Sequence, residues 1–178
     1  MTSLRDVDTK KNTKSTTIHS LLALLLLATA APAWADETPP EEPRWTVAVG
    51  AFDVDSRDVR VQADLEYRFR PFSIGKVELV PAIGTASTED GSAWVYGAVR
   101  YDFRITERWR FTPFTGISLY EPGGGKELGG AIEFRSGAEL SYRVANGDRV
   151  GVMFYHLSNA RIYDRNPGAN SLVLTYSF

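Results

Sequence analysis

With 178 residues and no cysteine, the chain has room for one domain beyond its N-terminus and can build neither a disulfide framework nor a thiolate metal site. Its formal net charge is −2 with both signs interspersed, and the lack of a basic patch excludes DNA and RNA as partners. Histidine occurs only at His19 and His156, and the first of these falls in a segment that reads as a leader.

Residues 1–35 carry the marks of a secretory signal peptide. Arg5, Lys10, Lys11 and Lys14 precede the apolar run from Leu21 to Ala31, and Ala33-Trp34-Ala35 forms a small-x-small cleavage site before Asp36. The run is shorter than the ~20 residues a spanning helix needs. Residues 36–43, acidic and rich in proline, hold too little apolar area to fold and read as a disordered spacer. The folded domain is expected over 44–178.

From Trp45 onward apolar residues recur with period two in eight successive runs, the mark of half-buried strands. Trp45, Val47, Val49 and Ala51 share a face in the first. In the second, Val59, Val61, Ala63, Leu65, Tyr67 and Phe69 alternate with Arg60, Gln62, Asp64, Glu66 and Arg68. The third carries Val77, Leu79, Pro81 and Ile83. The fourth sets Val95, Gly97, Val99, Tyr101 and Phe103 against Trp94, Tyr96, Arg100 and Asp102. Trp109, Phe111, Pro113, Ile117 and Leu119 line the fifth, and Ile132, Phe134, Ala138, Leu140 and Tyr142 the sixth, with Glu133, Arg135, Glu139 and Arg143 opposite. The seventh holds Val150, Val152 and Phe154, and the eighth Leu172, Leu174, Tyr176 and Phe178.

Alternation of this kind fits a soluble sandwich or lipocalin-like barrel as well as a membrane barrel, and three features favour the membrane. Aromatics concentrate near the ends of the apolar faces (Trp45, Tyr67, Phe69, Tyr101, Phe103, Trp109, Tyr142, Tyr176, Phe178), as interfacial girdles do. The opposite faces mix charges with Ala48, Gly50, Ala98, Gly116 and Gly137, which suits the narrow interior of a small barrel. The chain also ends on Phe178 with Tyr176 two before it, resembling the last strand of bacterial outer-membrane proteins. The expected fold class is therefore all-β, an eight-stranded antiparallel transmembrane β-barrel of the bacterial outer membrane. Tight connections at 69–75, 105–108 and 144–149 alternate with longer polar ones at 53–58, 85–92, 121–130 and 159–170. In such barrels short turns face the periplasm and long loops the outside.

Chemistry is suggested where the seventh run ends, in His156-Leu157-Ser158. Residues i and i+2 of a strand point to one side, so the imidazole can reach the hydroxyl, a nucleophile beside its base. If the last two runs pair antiparallel, parity brings Asn170 back to the same rim. The plainer reading is an interfacial polar cluster; polar groups on a lipid-facing stripe are costly without partners, which adds weight to a functional reading beside it. Elsewhere, Gly123-Gly-Gly125 before Lys126 lacks the surrounding Walker pattern and reads as a flexible loop. Glu133, Arg135 and Glu139, on one inward face, read as a salt-bridge network in the lumen.

His156-Leu-Ser158-Asn159-Ala160, followed by Asn166-Pro-Gly168-Ala-Asn170 and a terminal strand, resembles the C-terminal signature of the PagL-type lipid A deacylase family. Over Trp45 to Asp148 the likeness is one of architecture. The resemblance implies an outer-membrane serine esterase that removes the 3-O-linked hydroxyacyl chain of lipid A, with lipopolysaccharide in the outer leaflet as partner and no metal or cofactor. It implies Ser158 as nucleophile, His156 as general base and Asn159 as oxyanion donor. Asn170 aligns with the third triad residue, a glutamate in the best-known member. Here the chain departs from the pattern: asparagine can hold an imidazole tautomer but cannot stabilise an imidazolium by charge, and Asp164 is an alternative for the role. A homodimer, the preferred acyl length and a latent state in the native membrane stay open. The rival expectation is a non-catalytic barrel that anchors the envelope or binds a partner through its loops.

Overall fold

The computed structural model describes residues 43–145 and 147–178. The expected leader, and the expected spacer up to residue 42, lie outside the described residues. The alternating pattern becomes ten strands: β1 (Trp45–Phe52), β2 (Arg60–Arg68), β3 (Phe72–Ile74), β4 (Val77–Thr88), β5 (Ala93–Arg100), β6 (Phe103–Arg104), β7 (Trp109–Glu121), β8 (Ile132–Arg143), β9 (Arg149–Ser158) and β10 (Ala169–Ser177). The short β3 pairs with β4 and the short β6 with β7, each extending a hairpin past the wall. The eight long strands pair antiparallel in chain order, β2 with β4 and β5 with β7 included, and β1 closes onto β10 from Thr46↔Ser177 to Phe52↔Ser171. The fold is an eight-stranded antiparallel β-barrel.

Period-two patterning decides which side of the wall each residue faces. Val47, Val49, Val61, Ile83, Ile117, Leu119, Leu140, Val152, Phe154, Leu172 and Leu174 are exposed on the outside, although they would be the core of a soluble protein. The buried set is mixed: Gln62, Asp64, Glu66, Arg68, Arg100, Arg135 and Glu139 are buried on the inner side, and so is an apolar cluster that includes Phe52, Trp94, Tyr120, Leu128, Leu157 and Val173. An outward apolar band around a polar interior is the arrangement a bilayer demands, because lipid rewards apolar contact and leaves no backbone group unpaired in a closed sheet.

The lumen is filled, not open. Glu66 accepts from Arg68 at 3.1 Å and from Arg100 at 2.9 Å, while Glu139 pairs with Arg68 at 2.9 Å, also with Arg100, and accepts from Thr175 at 2.7 Å. Arg135 is held differently from the expectation. Its guanidinium lies 3.9 Å from the Tyr155 ring centroid, 4.2 Å from Tyr96 and 4.5 Å from Phe114, with Asp64 as its carboxylate at 3.9 Å. Of the trio expected in the network, Glu139 joins two arginines of other strands, and Glu133 is contacted by Asn159 at 3.5 Å. Space for these long side chains comes from small residues: the Tyr96 ring lies over Gly84, where a Cβ would stand 2.4 Å from its Cζ.

The outward aromatics form a belt at one end only. Trp45 packs on Tyr67 at 4.8 Å, Tyr67 on Phe69 at 5.1 Å, Trp109 on Tyr142 at 5.1 Å and Tyr176 on Phe178 at 5.8 Å. All stand at the end that carries the short turns and both termini of the barrel. At the opposite, loop end the outer wall is mainly aliphatic, with Val59, Val61, Leu119, Ile132 and Leu172, and Phe134 of β8 is the register partner of Ser158. One loop expected there is mostly strand: β4 continues to Thr88, so the connection to β5 is the tight turn 89–92. Thr85 and Ser87 hide this extension, because their outward positions carry no apolar residue, whereas Ala86 and Thr88 are buried inside. The turn is fastened by Asp90, which accepts from Thr88 and pairs with Arg60 at 2.9 Å. Slight burial pushes its carboxyl up, but hydrogen bonds from Thr88 and the Ser92 backbone and the nearby Arg60 guanidinium hold it below the usual carboxylate range.

Candidate active site at the loop end of the barrel

His156 and Ser158 are the outward residues of the last turn-to-loop stretch of β9, and Asn170 is directly opposite His156 on β10. The imidazole Nδ1 lies 2.8 Å from Asn170 Oδ1. An amide oxygen only accepts, so Nδ1 carries the hydrogen and Nε2 keeps its lone pair on the side away from Asn170. The Asn170 amide nitrogen in turn donates to Asp55 Oδ2 at 2.9 Å. Asp164, the alternative neighbour for the histidine, is exposed in the loop after β9, and the Nδ1 partner is Asn170.

A glycine completes the histidine's seat. Gly168 has φ +62°, a left-handed conformation that glycine adopts without penalty, and a Cβ there would sit 2.7 Å from His156 Cε1 and 3.0 Å from Nε2. Any larger residue would displace the ring. On the other flank, Ser136 of β8 is the register partner of His156, and Thr115 of β7 is the partner of Ser136, their hydroxyls 3.2 Å apart. Thr115, Ser136, His156 and Asn170 thus form a polar row across four adjacent strands of an otherwise apolar wall.

Asn159 stands elsewhere than expected for an oxyanion donor. It is fully buried, and its amide nitrogen donates to the carbonyls of Leu128 at 2.9 Å and Arg165 at 2.8 Å, which uses both of its hydrogens. Its backbone N–H donates to Asn166 Oδ1 at 3.0 Å, and its Oδ1 accepts from the Arg161 backbone at 3.0 Å. As placed, the side chain pins three loop segments together on the inner side of the wall. The turn that it holds is strained: Ala160 and Arg161 have φ of 51° and 65°, a conformation costing ~1 kcal/mol or more per non-glycine residue. Strained residues of this kind cluster at functional sites, and these two follow directly on the end of β9 that carries His156 and Ser158.

Sequence reasoning missed Asp55 and the exclusion role of Gly168. Gly168 was visible as part of a motif but not as a packing constraint. Asp55 gave no signal, because it lies 115 positions upstream of Asn170 and meets it only through closure of the barrel.

A closed eight-stranded barrel with an apolar outer wall, an ion-paired lumen and a polar row at its loop end defines the class: a transmembrane barrel of the outer-membrane type. Residues 63–178 match the lipid A 3-O-deacylase (PagL) family, and the chain belongs to that family. It is 26% identical over 113 residues to the lipid A deacylase PagL of Bordetella bronchiseptica, a match covering 58% of this chain and 64% of that relative, so slightly under two thirds of the relative's length is spanned. In fold it is similar to the crystal structure of the outer membrane enzyme PagL, with a TM-score of 0.56 and 22% identity over 74% of this chain and 96% of the other. A likeness of 15% identity and TM-score 0.46 extends to the Yersinia pestis outer membrane protein Ail, over 77% of this chain and 100% of that one.

Proposed function

We propose that the protein is an outer-membrane serine esterase that hydrolyses the 3-O-linked hydroxyacyl ester of lipid A. The observation that carries this reading is the His156–Asn170 hydrogen bond of 2.8 Å, on the lipid-facing side of the strand that also presents Ser158, within the segment matched to the family. A serine hydroxyl attacks an ester only when a base takes its proton. In this reading His156 Nε2 takes the proton of Ser158 as Oγ bonds to the acyl carbonyl carbon. The resulting imidazolium then protonates the sugar oxygen as the C–O bond breaks, leaving an acyl-Ser158. Water, deprotonated by the same imidazole, attacks this second ester, and the proton returns to Ser158 as the hydroxy fatty acid leaves. Asn170 keeps the imidazole in the Nδ1–H tautomer throughout. The oxyanion is assigned to the Ala160 N–H of the turn after Ser158, since the Asn159, Arg161 and Ile162 N–H groups are bonded within the loop, and Asn159 contributes by holding that turn rigid. Removing a single oxyanion donor costs about 10²–10³ in rate in enzymes of this kind.

Location serves the chemistry. The acyl chains of an outer-leaflet lipid already lie against the barrel wall, so the substrate reaches Ser158 by lateral motion and sheds little water on binding. The test is mass spectrometry of lipid A from cells making the wild-type protein or Ser158→Ala. Loss of one 3-O-linked hydroxyacyl chain with the wild type alone is the expected result. An unchanged profile with the wild type folded in the outer membrane would instead leave a non-catalytic barrel.

A further inference from the structure

We propose that Asp55 is a positioning residue for the esterase: by accepting from the Asn170 amide, it fixes which end of that amide meets His156 and so sets the imidazole tautomer. This rests on the reading of Ser158 and His156 given above. An asparagine side chain has an acceptor end and a donor end of nearly equal shape, and either could face Nδ1. With its oxygen toward Nδ1, the hydrogen sits on Nδ1 and Nε2 is basic; with its nitrogen toward Nδ1, the hydrogen moves to Nε2 and the base is lost. An ionised carboxylate only accepts. Asp55 Oδ2, 2.9 Å from the Asn170 nitrogen, is therefore compatible with the first orientation alone. It also lends a negative charge, through one amide, to an imidazolium that asparagine by itself leaves without one.

The carboxylate is held in place by its own loop. The Val54 backbone N–H donates to the Asn170 carbonyl at 3.0 Å, carrying the β1–β10 pairing one step past the strand. Ser56 N–H closes a turn on the Asp53 carbonyl at 3.0 Å, with Asp53 itself at φ 58°. The Asp53 side chain is buried and anchored by Lys126 Nζ at 2.7 Å. Asp55 is thus fixed from both sides along the chain, and it precedes the segment matched to the family, which begins at residue 63.

The experiment compares wild type, Asp55→Asn, Asp55→Ala, Asn170→Glu and the Asn170→Glu/Asp55→Ala pair, all purified from outer membranes with heat-modifiable mobility confirming the folded barrel. Lipid A hydrolysis gives kcat and KM, and ¹⁵N-histidine spectra give the tautomer, with His156→Ala identifying the resonances. Both Asp55 variants are expected to lose several-fold in kcat at unchanged KM, in proportion to the share of the Nδ1–H tautomer that is lost. They are also expected to shift the His156 spectrum from the Nδ1–H tautomer toward a mixture. In the Asn170→Glu background, where a carboxylate meets Nδ1 directly, Asp55→Ala is expected to cost nothing. Wild-type kcat and an unshifted tautomer in both Asp55 variants would overturn the proposal, as would an equal loss in the Asn170→Glu background. If Ser158→Ala matches the wild type in hydrolysis, the esterase reading itself fails, and the tautomer spectra still decide the part played by Asp55.

Discussion

At the turn end of the barrel, stacked aromatics ring the outside, and in the lumen Glu66 and Glu139 each pair with Arg68 and Arg100. At the loop end, by contrast, the outer wall is mainly aliphatic, a polar row crosses it, and the turn after Ser158 holds two non-glycine residues at positive φ. One end spends its side chains on holding the barrel at its depth in the membrane. The other tolerates strain and solvent-accessible polar groups, which is the condition for presenting reactive side chains to a lipid. If the proposed site is the catalytic one, the difference teaches that stability and chemistry are separated along the barrel axis, so each can be broken with little effect on the other.

The largest effect should come from the loop end. Ser158→Ala and His156→Ala are each expected to lower lipid A hydrolysis on the order of 10⁴-fold, while the urea midpoint in lipid vesicles stays that of the wild type. A parallel fall in the midpoint would erase the separation. Glu139→Ala should do the reverse: it leaves Arg68 and Arg100 to share the single carboxylate of Glu66, one buried charge uncompensated, and is expected to cost about 3–5 kcal/mol of barrel stability, with specific activity of the folded fraction retained. The smallest effect sharpens the comparison along the wall. Ala138→Arg, in the middle of β8, is expected to cost roughly 2–4 kcal/mol in vesicle unfolding, whereas Val61→Arg near the loop end should cost only about 0–1. Equal costs would mean that the membrane does not meet the wall as its apolar face indicates.

Much of this was legible in the sequence, for a physical reason. Strand parity is strict, so Leu140 and Leu174 had to share one side and Glu66 and Glu139 the other, and the same parity set Asn170 across from His156. Parity also sends Asn159 inward, next to an outward Ser158, which is why its amide is found among loop carbonyls. What stayed hidden depends on the third dimension. The β4 extension is masked by outward Thr85 and Ser87, and the cation–π seat of Arg135 involves Tyr96, Phe114 and Tyr155 from three other strands. Asp55 is the extreme case, since no local pattern distinguishes it from its neighbour Asp58.

The pairing of β1 with β10 also has a bearing on timing. Asp55 follows the first strand and Asn170 opens the last, so the line from His156 through Asn170 to Asp55 exists only after the two edges of the sheet have met. Bringing such distant segments together is the slowest kind of contact for a chain to make. A polypeptide still in transit, with its edges apart, lacks the assembled site, and any reactivity that depends on it begins only when the protein has reached its final membrane.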